Sequence, residues 1–364
     1  MAKLSPLADH HRRKGAPLVD REGWLMPLNF GDPLREYRSV RSGVGILDLC
    51  DRGLLRFEGP DRVSYLQGMV SNDLKSLSPG QGVYAAILDI QGKVLADTRI
   101  FSASDYFLLD LREPLKDKIV SHLNRYLIAD EVEIADLTGE YGIVSLQGGK
   151  AGPSVKELFP HDQIPEKELD HCALEPGGAE LRLIRCSHTG EEGYDLLLRV
   201  KDLESVVADI ERVGKAFSLD WVGLEAQDIL RIEAGIPVYG VDIDDGTLLL
   251  ETGLDRLVSF QKGCYLGQEV VERIRSRGHV NKRLSGLILT GDQVASAGDG
   301  IRAGDSDIGR VTSSVLSPAL QRPVAFGYLH RDYLQPGTLV SIIHDGQIIP
   351  AEVAALPFIK RQSR

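Results

Sequence analysis

The sequence predicts an α+β protein, a mixed body of strands and helices followed by a smaller all-β domain. Three observations carry this expectation. Short β-rich runs alternate with amphipathic helical stretches through most of the chain. Past Lys282 the helical pattern stops and only closely spaced strand-like runs remain. The length, 364 residues, exceeds what one hydrophobic core usually serves, so two or three domains are expected. The reading divides a body at 1–280 from a C-terminal domain at 281–364.

In the body, LLRFEG from Leu54, GVYAAILDI from Gly82 and DTRIF from Asp97 read as strands, broken by Gly-Pro, Ser-Pro-Gly and Gln-Gly turn signals. After Pro114, the apolar residues Leu115, Ile119, Val120 and Leu123 share one helical face. A second strand-turn-helix unit starts at Gly193 with GYDLLLRVKDLESVVADI. An offset of 88 residues lays Tyr106 on Tyr194, Leu108 on Leu196, Leu115 on Leu203 and Ile119 on Val207, which reads as a duplicated unit. The runs RLSGLILTG, DIGRVTSSV, VAFGYL, TLVSII and IIPAEVAAL then describe a small barrel or sandwich.

Composition narrows the function. Hydrophobic residues at 43% and charged residues at 26% are ordinary globular values. A net charge of -11 opposes general nucleic-acid binding, which needs surplus cations to neutralise phosphates. The N-terminal stretch has no apolar core of a signal peptide, and no run of about 18 apolar residues occurs, so neither export nor a membrane span is expected. Cys50, Cys172, Cys186 and Cys264 form no C-x-x-C pair, which points to a reducing cytoplasm. The first three are assigned to packing.

The stretch KGCYLGQEVVERIRSRGH, 262–279, concentrates chemistry. Gly263 and Gly267 permit close backbone approach or positive φ, and a helix begins at Gln268. Cys264 therefore precedes a helix N-terminus, where exposed N–H groups and Lys262 favour a thiolate while Glu269 opposes it. A small packing residue is the alternative. From Lys262 to Arg283, six basic residues face two acidic ones, in a chain that is otherwise acidic. Such a cluster suits an anionic ligand group or a solvated helix face.

K-G-C-Y-L-G-Q-E-V-V-E-R resembles the motif of the YgfZ-like folate-binding family, relatives of the glycine-cleavage T-protein (aminomethyltransferase) that support iron-sulfur enzymes. GWLMPLNFGD, VRSGVGILDL, LQGMVSNDL, HTGEEGYDL and GLEAQDILRIEAGIPVYGVDI resemble T-protein segments in the same order, so the resemblance spans nearly the whole chain. It implies two related α+β domains around a central folate pocket, with a C-terminal β-barrel, and tetrahydrofolate or a one-carbon derivative as cofactor.

The resemblance also implies site residues. In GKVLADTRIF, Ala96 stands at the first of two acidic positions and Asp97 at the second, making Asp97 the counterpart of the catalytic carboxylate. Tyr84 matches a pocket tyrosine. Asp195 stands where T-proteins carry Glu, at the pterin end, where one carboxylate accepts the 2-amino and N3–H pair. His188 replaces a tyrosine and is read as a surface histidine. Arg231, Tyr239 and Lys262 are assigned to the folate pocket and its anionic tail, and Cys264 to a working thiol. Asp242, Asp244 and Asp245 read as turn residues.

Two functions from different classes follow. The first is a tetrahydrofolate-binding factor for iron-sulfur cluster assembly or repair, acting through Cys264 on client or assembly proteins. The second is a folate-dependent aminomethyltransferase using Asp97, with a lipoyl carrier protein as partner. A folate-free protein- or RNA-binding module is disfavoured by the acidic remainder.

Overall fold

A computed structural model describes residues 2–160 and 162–360, so 361–364 of the expected C-terminal domain lie outside the described residues. The chain forms two compact units. One comprises the residues up to Ile87, Ala96–Gln227 and Leu257–Tyr265. The other comprises Leu88–Leu95, Asp228–Arg256 and the chain from Leu266 on. No helix among the described residues is long and apolar enough to cross a membrane.

The first unit is built on a five-stranded and a six-stranded sheet. The five-stranded sheet orders Gly82–Leu88, Val94–Ser102, Phe107–Arg112, Arg52–Glu58 and Glu133–Asp136. The six-stranded sheet orders His171–Leu174, Leu181–Arg185, Gly193–Arg199, Tyr141–Gln147, Val44–Asp48 and Leu219–Trp221. The strand-helix unit expected twice is present twice. Phe107–Arg112 leads to the helix Lys116–Tyr126, and Gly193–Arg199 leads to the helix Val200–Gly214.

Strand alternation sorts the six-stranded sheet into two chemically different faces. Val144, Leu146, Tyr194, Leu196 and Leu198 enter one core with Val155, Leu203, Val207 and Ile210 from the helices behind it. Each such buried aliphatic chain stabilises by about 1.5–3 kcal/mol. The intervening residues Ser145, Gln147 and Asp195 point to the other face and are buried as well. A sheet face that buries polar side chains must satisfy them with specific partners. These partners form the site described below.

In the second unit, the C-terminal strands close into a six-stranded barrel, ordered Lys282–Leu289, Arg322–His330, Ser306–Ser317, Gly300–Ala303, Leu339–His344 and Gln347–Ala354. The barrel alternative is therefore the correct one of the two left open. Closure removes the unpaired edges a sandwich would leave. Leu287, Leu289, Val311, Ile342, Ile349, Ala351 and Val353 fill the interior. The strand Gly300–Ala303 was not legible, because four residues with one fully buried side chain carry little alternation.

The helix expected after the glycine-flanked cysteine runs Gln268–Arg277. Gly267 caps it at φ 83°, and a Cβ there would meet the carbonyl oxygen of Asp89 at 2.6 Å. Glycine is thus required twice over, by conformation and by contact. Gly263 has open space around the position of a Cβ and carries no such requirement.

Candidate active site

Strand Val94–Ser102 sets the first element of the site by parity. Ala96, Thr98 and Ile100 are buried, while Asp97 and Arg99 share the opposite, half-buried face. Ala96, at the first acidic position of the resembled pattern, lies fully within the core. On the neighbouring strand, the Tyr84 hydroxyl donates to Asp97 Oδ2 at 2.5 Å. Asp97 Oδ1 is buried and has no hydrogen-bond partner among the described residues. A buried carboxylate oxygen without a donor is costly, and functional sites are where such cost is tolerated.

Arg99 connects this pair to the second sheet. Its Nη1 donates to Asp110 Oδ2 at 3.0 Å, and Arg52 Nε donates to the other oxygen of the same buried carboxylate. The guanidinium carbon lies 5.9 Å from the centroid of the Tyr84 ring. Its Nη2 lies 3.4 Å from His188 Nδ1. Arginine has only donors, so Nδ1 accepts and the imidazole proton resides on Nε2. That Nε2–H faces both oxygens of Asp195, at 3.0 and 2.9 Å. The result is one directional chain from Asp110 through Arg99 and His188 to Asp195.

Burial alone would push the Asp195 carboxyl up, but His188 and Arg99 beside it hold it below the usual range, so it stays an anion. The Cys186 thiol shows the reverse. Burial pushes it well above its ordinary value in spite of Arg99, leaving it a neutral packing group. Cys186, His188 and Asp195 place ligand atoms within 4.8 Å of one another. The Arg99 cation among them opposes a second cation.

Gln147 fixes the loop that carries His188. Its side-chain nitrogen donates to Ser145 Oγ and to the Cys186 carbonyl, both at 2.8 Å. Its side-chain oxygen accepts from the His188 backbone N–H at 2.9 Å. A Cβ on Gly193 would sit 2.1 Å from that Gln147 nitrogen, which accounts for glycine before Tyr194. His188 is therefore not the surface histidine the sequence suggested. Its side chain is 14% exposed and held at both ring nitrogens.

The remaining expected residues have the following surroundings. Arg231 is buried, donating to Asp242 at 2.8 Å, Asp228 at 2.6 Å and Ser313 at 3.1 Å. Asp242 is itself buried and also accepts from Thr312 and Ser313. The expected turn residue is also the partner that holds Arg231 against the barrel. Tyr239 is buried with its hydroxyl donating to the Val94 carbonyl at 3.1 Å.

Lys262 is 8% exposed, and its ammonium donates to the carbonyls of Gln67, Val70 and Asn72 at 2.7, 2.5 and 2.9 Å. It closes the C-terminal end of the helix Arg62–Met69, where carbonyls lack partners and the helix dipole is negative. Burial lowers its pKa to about 8, with Asp73 working in the other direction. The neighbouring Asn72 donates from Nδ2 to the Tyr84 carbonyl at 2.8 Å, so the lysine braces the segment against which Tyr84 is set. Cys264 is exposed. In the basic run, Arg275 pairs with Glu272, Lys282 with Glu251 and Arg283 with Asp255, so much of its charge is answered locally.

Arg52, Arg99, Asp110 and Gln147 were missed from sequence. For Arg99 and Asp110 a signal existed, since charged residues inside strands that otherwise bury their side chains call for partners.

The described fold is thus a double-sheet α+β unit with a charged, buried relay on its inner face, joined in sequence to a six-stranded barrel. The description "GCVT N-terminal domain" matches residues 7–262, and "Glycine cleavage T-protein C-terminal barrel domain" matches 282–360. The chain belongs to the glycine cleavage T-protein family. The aminomethyltransferase of Chlorobium luteolum is 32% identical over 365 residues, covering 98% of this chain and 99% of its own. That of Rubrobacter xylanophilus is 31% identical, covering 99% and 95%. The crystal structure of glycine cleavage system aminomethyltransferase T from Bartonella henselae superposes with a TM-score of 0.91 at 26% identity, over 99% of both chains. Tetrahydrofolate is the cofactor of this family.

Proposed function

We propose that the chain is a folate-dependent aminomethyltransferase that moves a one-carbon unit from an amine donor, presented by a lipoyl carrier protein, to tetrahydrofolate. The observation that carries the reading is the Tyr84–Asp97 pair, a carboxylate with one oxygen held by a phenol and the other buried without a donor. That oxygen suits an amine or a cationic one-carbon group brought to it. Tetrahydrofolate supplies the nucleophilic amine that accepts the one-carbon unit.

This chain's residues then have separable tasks. Tyr84 orients the Asp97 carboxylate through Oδ2. Asp97 places negative charge beside the centre where positive charge develops, and Oδ1 accepts a proton or an N–H there. Asp110 and Arg52 fix Arg99, which lies beside the Tyr84 ring. Asp195 offers an anion to the pterin edge.

The iron-sulfur role implied by KGCYLGQE is set aside. Cys264 is exposed, as such a role needs, but the relatives above are named for aminomethyl transfer over their full length. The test has two stages. Calorimetry with tetrahydrofolate should give saturable binding, and aminomethyl transfer from a loaded lipoyl carrier protein should release ammonia only when tetrahydrofolate is present. Binding without any turnover would remove the transferase reading, and absence of binding would remove the folate reading altogether.

A further inference from the structure

We propose that His188 is a specificity-determining residue of this site: it competes with the pterin edge of the folate for Asp195, so that the ligand engages this carboxylate only by displacing His188 Nε2. The proposal rests on the folate reading above.

The geometry that carries it is the near-equal spacing of Nε2 from the two Asp195 oxygens, 3.0 and 2.9 Å. One N–H shared between both oxygens occupies the approach that a two-donor edge needs, because a bidentate ligand must address both oxygens side by side. His188 and a pterin cannot be paired with Asp195 in this way at once.

The site is built so that the ring can leave without the loop unfolding. The His188 backbone is pinned by its own N–H to Gln147 Oε1 at 2.9 Å, and Thr189 Oγ1 donates to the same oxygen at 3.2 Å. Among the described residues, the far ring nitrogen is held by the longer 3.4 Å contact from Arg99. Arg99 does not depend on His188, since Asp110 retains it at 3.0 Å. A turn of the histidine side chain therefore releases both Asp195 oxygens from the imidazole, with the Ser145 hydroxyl still beside the carboxylate and a fixed cation nearby. The exchange trades one donor to a buried anion for two, and the free-state hydrogen bond is subtracted from the affinity the ligand achieves.

Two measurements on the full chain test this. Calorimetry with tetrahydrofolate compares wild type, His188→Ala, Asp195→Ala and the double variant. Removing the competitor should tighten binding by about tenfold, the equivalent of one hydrogen bond to a charged acceptor. Asp195→Ala should erase that gain. In wild type labelled with nitrogen-15 histidine, the His188 signals should show an Nε2–H tautomer that shifts in step with folate saturation.

Affinity unchanged or weakened in His188→Ala with native circular dichroism overturns the proposal. Wild-type binding that leaves the His188 signals unmoved overturns it as well, and that experiment decides should His188→Ala fail to fold. Either result leaves the folate reading standing. Absence of binding in both wild type and His188→Ala overturns the folate reading and this proposal together.

Discussion

Replacing Asp97 with asparagine isolates charge from shape. The amide keeps an oxygen that can accept from the Tyr84 hydroxyl, so the 2.5 Å contact has a successor, but the negative charge is gone. A unit charge about 4 Å from a developing cation, at an effective dielectric of about 20, is worth about 4 kcal/mol. At about 1.4 kcal/mol per decade this corresponds to roughly three powers of ten in rate. Removing one preorganised electrostatic group costs about 10²–10³ in comparable sites. We therefore expect Asp97→Asn to lower kcat by about 10²–10³ with the folate KM moving by less than about threefold. Tyr84→Phe deletes one hydrogen bond to a charged acceptor, about 1.5–3 kcal/mol, and should lower kcat by roughly 10- to 100-fold. Both substitutions act on one carboxylate, so the double variant should be scarcely slower than Asp97→Asn. Single-turnover ammonia release from a loaded lipoyl carrier protein reads each rate. An Asp97→Asn enzyme within threefold of wild type, or additive losses in the double variant, would refute the assignment.

Three further outcomes follow from the same geometry. Lys262→Met strands three buried carbonyls at about 1–3 kcal/mol for each that water does not reach; a loss of about 3–5 kcal/mol is expected from the urea midpoint, and a loss below about 1 kcal/mol contradicts the brace. His171, nearly buried, has its pKa lowered to about 4 by burial and then by Arg182. The unfolded chain takes up that proton near pH 6.5 and the fold does not until about 4, so stability falls as pH drops through this window, by about 3 kcal/mol in total. His171→Phe should flatten that limb, and equal slopes for variant and wild type would rule the histidine out. Cys264→Ser should leave aminomethyl transfer within about twofold of wild type, since surface substitutions away from such contacts usually have small effects; a hundredfold loss would restore the thiol to the chemistry.

Short β-rich runs between turn signals made part of this legible in advance. The β-rich character of GVYAAILDI and DTRIF places Tyr84 and Asp97 on strands, and the resemblance assigns both to the site. The barrel was readable because its strands are long enough to alternate, as in Gln347–Ala354. What was hidden depends on contacts between distant positions. Arg99 and His188 are 89 residues apart, and Lys262 lies 190 or more residues from the carbonyls it holds. No local period announces such a pair. His188 was misjudged because its neighbours in sequence, HTGEEG, read as a solvated turn, whereas the turn folds inward around the buried amide of Gln147. The partners of Lys262 and Arg231 were hidden in the same way, because a cation in a motif suggests an anionic ligand, while the fold pairs them with carbonyls and with Asp242.

The brace at Lys262 has a consequence for the order in which the polypeptide matures on the ribosome. The helix that ends at Met69 and the strand bearing Tyr84 emerge early, yet the ammonium that quiets the carbonyls between them is translated nearly two hundred residues afterwards. Until then that bend offers three bare acceptors to water or to chaperones. A nascent chain halted short of this lysine carries every reactive group of the Tyr84–Asp97 pair without the clasp that sets them, so competence arrives late and all at once rather than growing with length.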